Sequence, residues 1–292
     1  MTKPRVDFTP DLSYADVEKV LQSVDIPACP AMLAEVLGEA QKDTPDVRKL
    51  AKHIANDLGL SAATLKLANS ALFRGSSKVS TVPKAVDRLG VQNLVCVVVG
   101  AALWNNLAGL PSGFIDRFWV RTSTLAMFAS LVARRQYGVS PDAAYTYAMF
   151  HDAGIPLMMK RFPEYAQVVA QCQKLGQLAA TAEADYFPCS HAIVGSLLTR
   201  NWGLPPSVGE AIRFHHDPDV YDLPDSTLPG HSVSLIAIVH IAEHLMSDLT
   251  GEDDQEVGPA LFTKAMAHFG IAGEDLDHLR EILAGVIDDL KH

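Results

Sequence analysis

The chain has 292 residues, 48% of them hydrophobic and 20% charged, the balance of a globular protein with one large or two closely packed domains. This composition leaves no room for a collagen-like, low-complexity or disordered polypeptide. The net charge of −10 weighs against a surface built to neutralise phosphates, because nonspecific nucleic-acid affinity comes from Lys and Arg contacts that release counterions.

Four cysteines, Cys29, Cys96, Cys172 and Cys189, are scattered without C-x-x-C spacing. They read as reduced, buried thiols rather than a zinc cage or redox pair. The N-terminus carries Lys3 and Arg5 but no following apolar segment, and no run of about 18 uncharged apolar residues occurs elsewhere. A cytoplasmic protein with no membrane span is expected.

Ala, Leu and Val dominate, and Gly and Pro fall singly between long apolar-periodic segments, which points to an all-α class. Asp46 predicts the N-cap of a helix ending near Gly59, and Ser61 the cap of the next. Thr81 and Pro83 open a short helix closed by Gly90. The run from Val91 to Leu107 is almost wholly apolar and β-branched, but its length and neighbours favour a buried helix over a strand. Gly109-Leu110-Pro111-Ser112-Gly113 is the best internal boundary, dividing the chain into 1–110 and 111–292. Beyond it a helix is expected over Phe118 to Gln136. Ser140-Pro141 starts another that reaches His151-Asp152 before Gly154. Ser190 caps a helix from His191 to Trp202, and Pro206 to His216 forms one that Asp217-Pro218 ends. A loop over Asp222 to Ser232, a helix over Val233 to Leu249, an acidic turn over Gly251 to Glu256 and two short helices complete the chain. No internal repeat stands out.

The histidines and carboxylates of greatest chemical interest fall at these helix ends. A metal site needs several imidazoles and carboxylates converging on a cation. His151 and Asp152 stand at a helix C-terminus, where the dipole favours a cation, and His191 stands at an N-terminus, where the dipole favours the neutral imidazole. His215 or His216 can add a further imidazole and Glu243 a carboxylate. Each residue has a plainer reading as well, since a histidine at a helix end commonly satisfies the carbonyls or amides left unpaired there. Where a fuller site of this type would begin with another histidine, the chain has Thr122, within Trp119-Val120-Arg121-Thr122-Ser123.

Three other patterns are weaker. His240-Ile241-Ala242-Glu243-His244 matches the H-x-x-E-H spacing of inverted zinc peptidases, with all three polar residues expected on one helix face. The plainer reading has His240 and Glu243 bordering the groove of the other histidines. Ala55, Gly59 and Leu65 occupy positions expected of a helix-turn-helix, and six Lys and Arg oppose two Asp from Asp46 to Lys78. The would-be recognition helix from Ser61 to Ser70 has one cation, so a packing motif is expected rather than a DNA reader. Asn69-Ser70, with Phe73 and Gly75, is either a functional loop or a helix stop in which side chains bond the local backbone.

Taken in order, Ile26-Pro27-Ala28-Cys29-Pro30, Asp57-Leu58-Gly59-Leu60, Ala68-Asn69-Ser70-Ala71-Leu72-Phe73, Leu89-Gly90, His151-Asp152-Ala153-Gly154, His191-Ala192-Ile193-Val194-Gly195, Trp202-Gly203-Leu204-Pro205 and Ala211-Ile212-Arg213-Phe214-His215-His216 form a recognisable series. Over residues 15 to 245 the chain resembles the HDOD family, bacterial signalling output domains related to HD metal-dependent phosphohydrolases. The resemblance implies an N-terminal helical bundle packed on a degenerate HD-like bundle, with a C-terminal helical extension. It also implies a regulatory, non-catalytic module that binds a signalling protein partner or a phosphorylated, nucleotide-like small molecule. The alternative is a residual phosphohydrolase holding one divalent metal through His151, Asp152, His191, His215 or His216, and Glu243. An active HD enzyme would have His at Thr122 and Asp near Glu243, and a hydroxyl does not replace an imidazole ligand at similar affinity. The oligomeric state is not legible.

Overall fold

The computed structural model describes residues 23–291 apart from 71, 72, 74, 76, 108 and 252–256. The charged N-terminus, the Ala71-Leu72 part of the asparagine motif and most of the acidic turn lie outside the described residues. Among the described residues the chain is built of helices with no strand. The order is α1 (Ala31–Ala40), α2 (Val47–Ala55), α3 (Leu58–Ala68), α4 (Val82–Asn106), α5 (Ser112–Ala133), α6 (Pro141–Phe150), α7 (Gly154–Arg161), α8 (Tyr165–Lys174), α9 (Ala179–Tyr186), α10 (His191–Asn201), α11 (Pro206–Phe214), α12 (Gly230–Thr250), α13 (Gly258–Phe269) and α14 (Gly273–Lys291).

Local chemistry sets most of these boundaries. The Asp46 carboxylate accepts from the amides of Arg48 and Lys49 at the start of α2, and Ser140 and Ser190 accept from Ala143 and Ile193 at the starts of α6 and α10. The α2–α3 turn departs from expectation. Asp57, not Ser61, caps α3 by accepting from the Leu60 amide at 2.9 Å, while the Ser61 hydroxyl donates to the Ile54 carbonyl at 3.0 Å. Gly59 therefore lies inside α3 and not at the end of α2. Helix α5 also begins earlier than expected, because Pro111 leads directly into it, and α14 is a long helix rather than a short one. The α4 segment breaks at Gly90, whose φ of 73° and ψ of 169° suit only glycine at low cost. The β-branched run after it is helical, with Leu94 to Val99 buried. Tertiary contact overrides β propensity here: Cys96 Sγ meets Thr146 Oγ1 of α6 at 2.8 Å.

The first three helices pack on α4, and Asn69 closes that group as a clasp. Its amide donates to the carbonyls of Leu65 and Val79, and its Oδ1 accepts from the Val79 amide, each at 2.8 Å. Structural closure is thus the role the geometry gives Asn69. Among the remaining helices α12 is central, packing against α5, α6, α11, α13 and α14, while α7 and α10 pack on each other and α10 on α11. By length and composition α12 is apolar enough to cross a bilayer, yet 67% of its apolar window is buried against its neighbours.

Two motifs distant in sequence join the halves. The Pro27 carbonyl accepts from Trp202 Nε1 at 3.0 Å and from Asn201 Nδ2 at 2.9 Å, and Gln41 Nε2 donates to the Gly203 carbonyl at 3.3 Å. Around the future site, α7 and α10 approach until a Cβ added at Gly154 would stand 2.0 Å from the His191 carbonyl oxygen and 2.9 Å from the Gly195 amide nitrogen. Only glycine fits that crossing. It sets the start of α10 beside the end of α6.

Candidate metal centre

Four helices deliver polar groups to one buried point. His151 follows the last residue of α6, Asp152 follows it, His191 opens α10, His215 and His216 follow α11, and Glu243 projects from the middle of α12. His151, Asp152, His191, His215 and Glu243 are all at most 5% exposed, so their polar atoms must be satisfied by one another or by a bound ion.

The ring tautomers follow from the partners. His151 Nδ1 faces the Ala148 carbonyl at 2.7 Å, and His215 Nδ1 faces the Ile212 carbonyl. A carbonyl only accepts, so each ring carries its proton on Nδ1. Both histidines therefore cap their helices as the plainer reading holds, and both still turn Nε2 toward the cluster. His191 Nδ1 lies 2.8 Å from both oxygens of Glu183, and that carboxylate also accepts the His191 backbone amide at 2.9 Å and the Tyr165 hydroxyl. This is the carboxylate–histidine arrangement that fixes a ligating ring and raises its basicity.

The consequence is a convergence of lone pairs. His191 Nε2 lies 3.4 Å from His215 Nε2 and 3.1 Å from His216 Nε2. Asp152 Oδ1, buried without a hydrogen-bond partner, is 3.5 Å from His191 Nε2 and 3.8 Å from His215 Nε2. On its other side, Oδ2 lies 2.9 Å from His151 Nε2, which is not aligned for a hydrogen bond, and Glu243 Oε1 lies 3.5 Å from the same nitrogen. His191 and His215 carry their protons on Nδ1, so their facing Nε2 lone pairs and the Asp152 Oδ1 repel one another unless a cation sits among them. Two groups have ligand atoms within 4.8 Å of one another: Asp152 with His191, His215 and His216, and His151 with Asp152 and Glu243. The first, three imidazoles and one carboxylate, fits a divalent transition metal such as Zn²⁺, Fe²⁺ or Ni²⁺ better than Mg²⁺ or Ca²⁺.

Electrostatics sort the groups further. Burial holds the His215 imidazole down to about 3, assisted by the neighbouring His191 and His151, and burial with His215 holds His216 well below its usual value; both stay neutral, as ligands must be. Burial also pulls His151 down, but the Asp152 and Glu243 carboxylates outweigh it and lift that ring to about 10. Burial raises the Glu243 carboxyl, and the Arg121 guanidinium and His151 overcome it, holding it at about 2.

Sequence reasoning overlooked several contributors. Arg121 on α5 donates from Nη2 to Glu243 Oε1 at 2.8 Å, and its Nη1 lies 3.8 Å from Asp152 Oδ2. Thr122 is buried on the same helix, but it is the adjacent guanidinium that reaches the carboxylates. Glu183, eight residues before His191, carried no motif. The H-x-x-E-H pattern does not act as a unit. His240 Nε2 donates to the His215 carbonyl at 3.0 Å while its Nδ1 accepts from the Tyr221 hydroxyl at 2.8 Å. Glu243 turns to Arg121, and the His244 ring stacks on Phe262 with centroids 3.7 Å apart. His240 thus supports the cluster through the His215 backbone.

The described residues are helical, with histidines and an aspartate gathered at helix termini. The HDOD domain model matches residues 26–218, and the chain belongs to the HDOD family. That match is narrower than the motifs implied and leaves Glu243 outside it. A solved structure of a proposed phosphohydrolase from Shewanella amazonensis SB2B is 26% identical, with a TM-score of 0.72 over 95% of this chain and 96% of that one. A proposed signal transduction protein from Marinobacter aquaeolei VT8 shares the fold, at 19% identity and a TM-score of 0.76 over 98% of this chain and 66% of that one. A curated relative, an uncharacterised protein of Treponema pallidum (strain Nichols), is 24% identical over 80% of this chain and 45% of its own length. The chain spans less than half the length of the curated relatives it matches.

Proposed function

We propose that this chain is a regulatory module of signal transduction that holds one divalent transition-metal ion and binds a protein partner or a phosphorylated, nucleotide-like ligand without hydrolysing it. The observation that carries this reading is the closure of the cluster. Its ligand atoms converge, the His191 and His215 tautomers are fixed by Glu183 and the Ile212 carbonyl, and all its ligands but the part-buried His216 are almost fully buried. A catalytic metal keeps a position open for water and substrate. Here Arg121 neutralises the carboxylates that such a position would use. Asp152, His191, His215 and His216 would hold the ion, which would supply a fixed charge linking the ends of α6, α10 and α11. The net charge of −10 makes a protein or small-molecule partner a better fit than nucleic acid.

The phosphohydrolase reading draws on a separate observation. The Arg121 side chain is 35% exposed beside the cluster, which sets a positive charge where a phosphoryl group could approach, and the Shewanella relative is named for that activity. There Asp152 and the three imidazoles would hold the ion that activates water.

Metal analysis of protein purified without chelators or tag metals, together with a chromogenic phosphodiester assay, separates the readings. For the regulatory module, near-stoichiometric metal is expected in the wild type and is lost in the His151→Ala, Asp152→Ala double variant, with no turnover in either. Metal-dependent turnover abolished by the double variant would transfer the case to the enzyme. A metal-free wild type would remove the metal from both readings.

A further inference from the structure

Asp152 stands between two groups of ligand atoms. Its Oδ1 faces His191 and His215 at 3.5 and 3.8 Å, and its Oδ2 faces His151 at 2.9 Å. On the Oδ2 side, His151 Nε2, Asp152 and Glu243 lie within 4.8 Å of one another. A carboxylate offering one oxygen to each of two adjoining ligand groups is the arrangement that lets two cations sit side by side. The second group, with two carboxylates and one imidazole, suits a harder ion such as Mn²⁺. A cation is already present there, because the Arg121 guanidinium lies 2.8 Å from Glu243 Oε1 and 3.8 Å from Asp152 Oδ2. A divalent ion on those same oxygens would stand within a few ångströms of a fixed positive charge. It would also have to take Glu243 from a charge-assisted hydrogen bond in a buried setting.

We propose that Arg121 is a built-in cation that shuts a second metal half-site formed by His151, Asp152 and Glu243, so that the centre takes a single ion. This rests on the reading that the imidazole-rich side, Asp152 with His191, His215 and His216, holds one metal, and it assigns Arg121 the role of setting the stoichiometry. Glu243 follows as a ligand in waiting. In the protein as it stands, it serves to anchor Arg121.

The test is Mn²⁺ binding, by equilibrium dialysis and electron paramagnetic resonance, to the wild type, Arg121→Met and Arg121→Met with Glu243→Gln. Wild type should saturate at one ion per chain with an isolated-ion spectrum. Arg121→Met should take two with a spin-coupled spectrum, and the added Glu243→Gln should return it to one. Two ions in the wild type, or one in both the wild type and Arg121→Met, overturns the proposal, as does no ion in any of the proteins. A wild type that binds none, with an Arg121→Met that binds one ion removed by Glu243→Gln, would retain the half-site and overturn only the imidazole-side reading. Removing the guanidinium leaves two buried carboxylates facing each other, so Arg121→Gln, which keeps a donor toward Glu243, is measured alongside. If neither single variant folds, the wild-type count decides, with one ion for the proposal and two against it.

Discussion

Glu183 is fully buried and binds His191 through both the ring and the backbone amide, so it determines which ring nitrogen faces the cluster. Partners of this kind typically change metal affinity about 10- to 100-fold when altered. Glu183→Gln is expected to weaken metal affinity by about that factor while far-UV circular dichroism stays unchanged. Competition against a fluorescent chelator gives the number, and unchanged affinity would show that His191 is not a ligand. His151 and His215 need no such partner, because each is held by a carbonyl three residues earlier on its own helix. That local device was open to sequence reasoning once the helix ends were placed. Glu183 was not, since nothing in its neighbourhood marks it apart from a tertiary contact.

At the scale of elements, the crossing of α7 and α10 is the most constrained feature near the site. Gly154→Ala puts a methyl carbon inside backbone van der Waals distance of His191, and backbone yields less readily than a side chain. A loss of about 3 kcal/mol is expected, measured by urea denaturation, with a parallel loss of metal affinity as the α10 N-terminus moves away from Asp152. Helices α1 and α2 are tied by Glu39, which is 2% exposed, receives Lys42 and Lys49, and accepts the Asp46 amide. Hydrogen bonds from Lys42, Asp46 and Lys49 hold its carboxyl down from 4.5 to about 2. A depressed carboxyl stabilises the fold above its unfolded value and loses that contribution as pH falls toward the folded one. Glu39→Gln should therefore lower the melting temperature at pH 7. The gap from the wild type should narrow as pH drops from about 4.5 toward 2. A gap that stays constant would mean the charge of Glu39 is immaterial.

Across the whole molecule, the N-terminal helices are fastened to the histidine-bearing helices by the Pro27 carbonyl, which accepts from both Asn201 and Trp202. Trp202 is among the largest fully buried side chains, so the joint combines packing with polar pairing. Trp202→Phe keeps most of the volume and loses one donor, an expected cost of about 1–2 kcal/mol. Adding Asn201→Ala leaves the carbonyl with neither donor. The double variant should then be less stable than the sum of the single effects by at least about 0.5 kcal/mol, as read from a double-mutant cycle in urea. Strict additivity would mean the two donors do not share the acceptor in solution.

The all-helical class, most helix starts and the gathering of chemistry at helix ends were legible in the sequence, because caps, prolines and glycines act over a few residues and leave a local record. The buried helix after Gly90 was legible from its length despite its β-branched run. The α2–α3 turn was misread because Asp57 and Ser61 are both competent caps, and only the packing of α3 on α4 decides between them. Likewise the helical register of His240, Glu243 and His244 could be read, but their separate partners could not. What tertiary structure alone decided is the meeting of side chains from six helices: which nitrogen of each histidine faces inward, that Glu183 backs His191, and that Arg121 rather than Thr122 reaches the carboxylates. Those outcomes depend on crossing distances and angles between helices far apart in the chain, which the order of residues along it does not display.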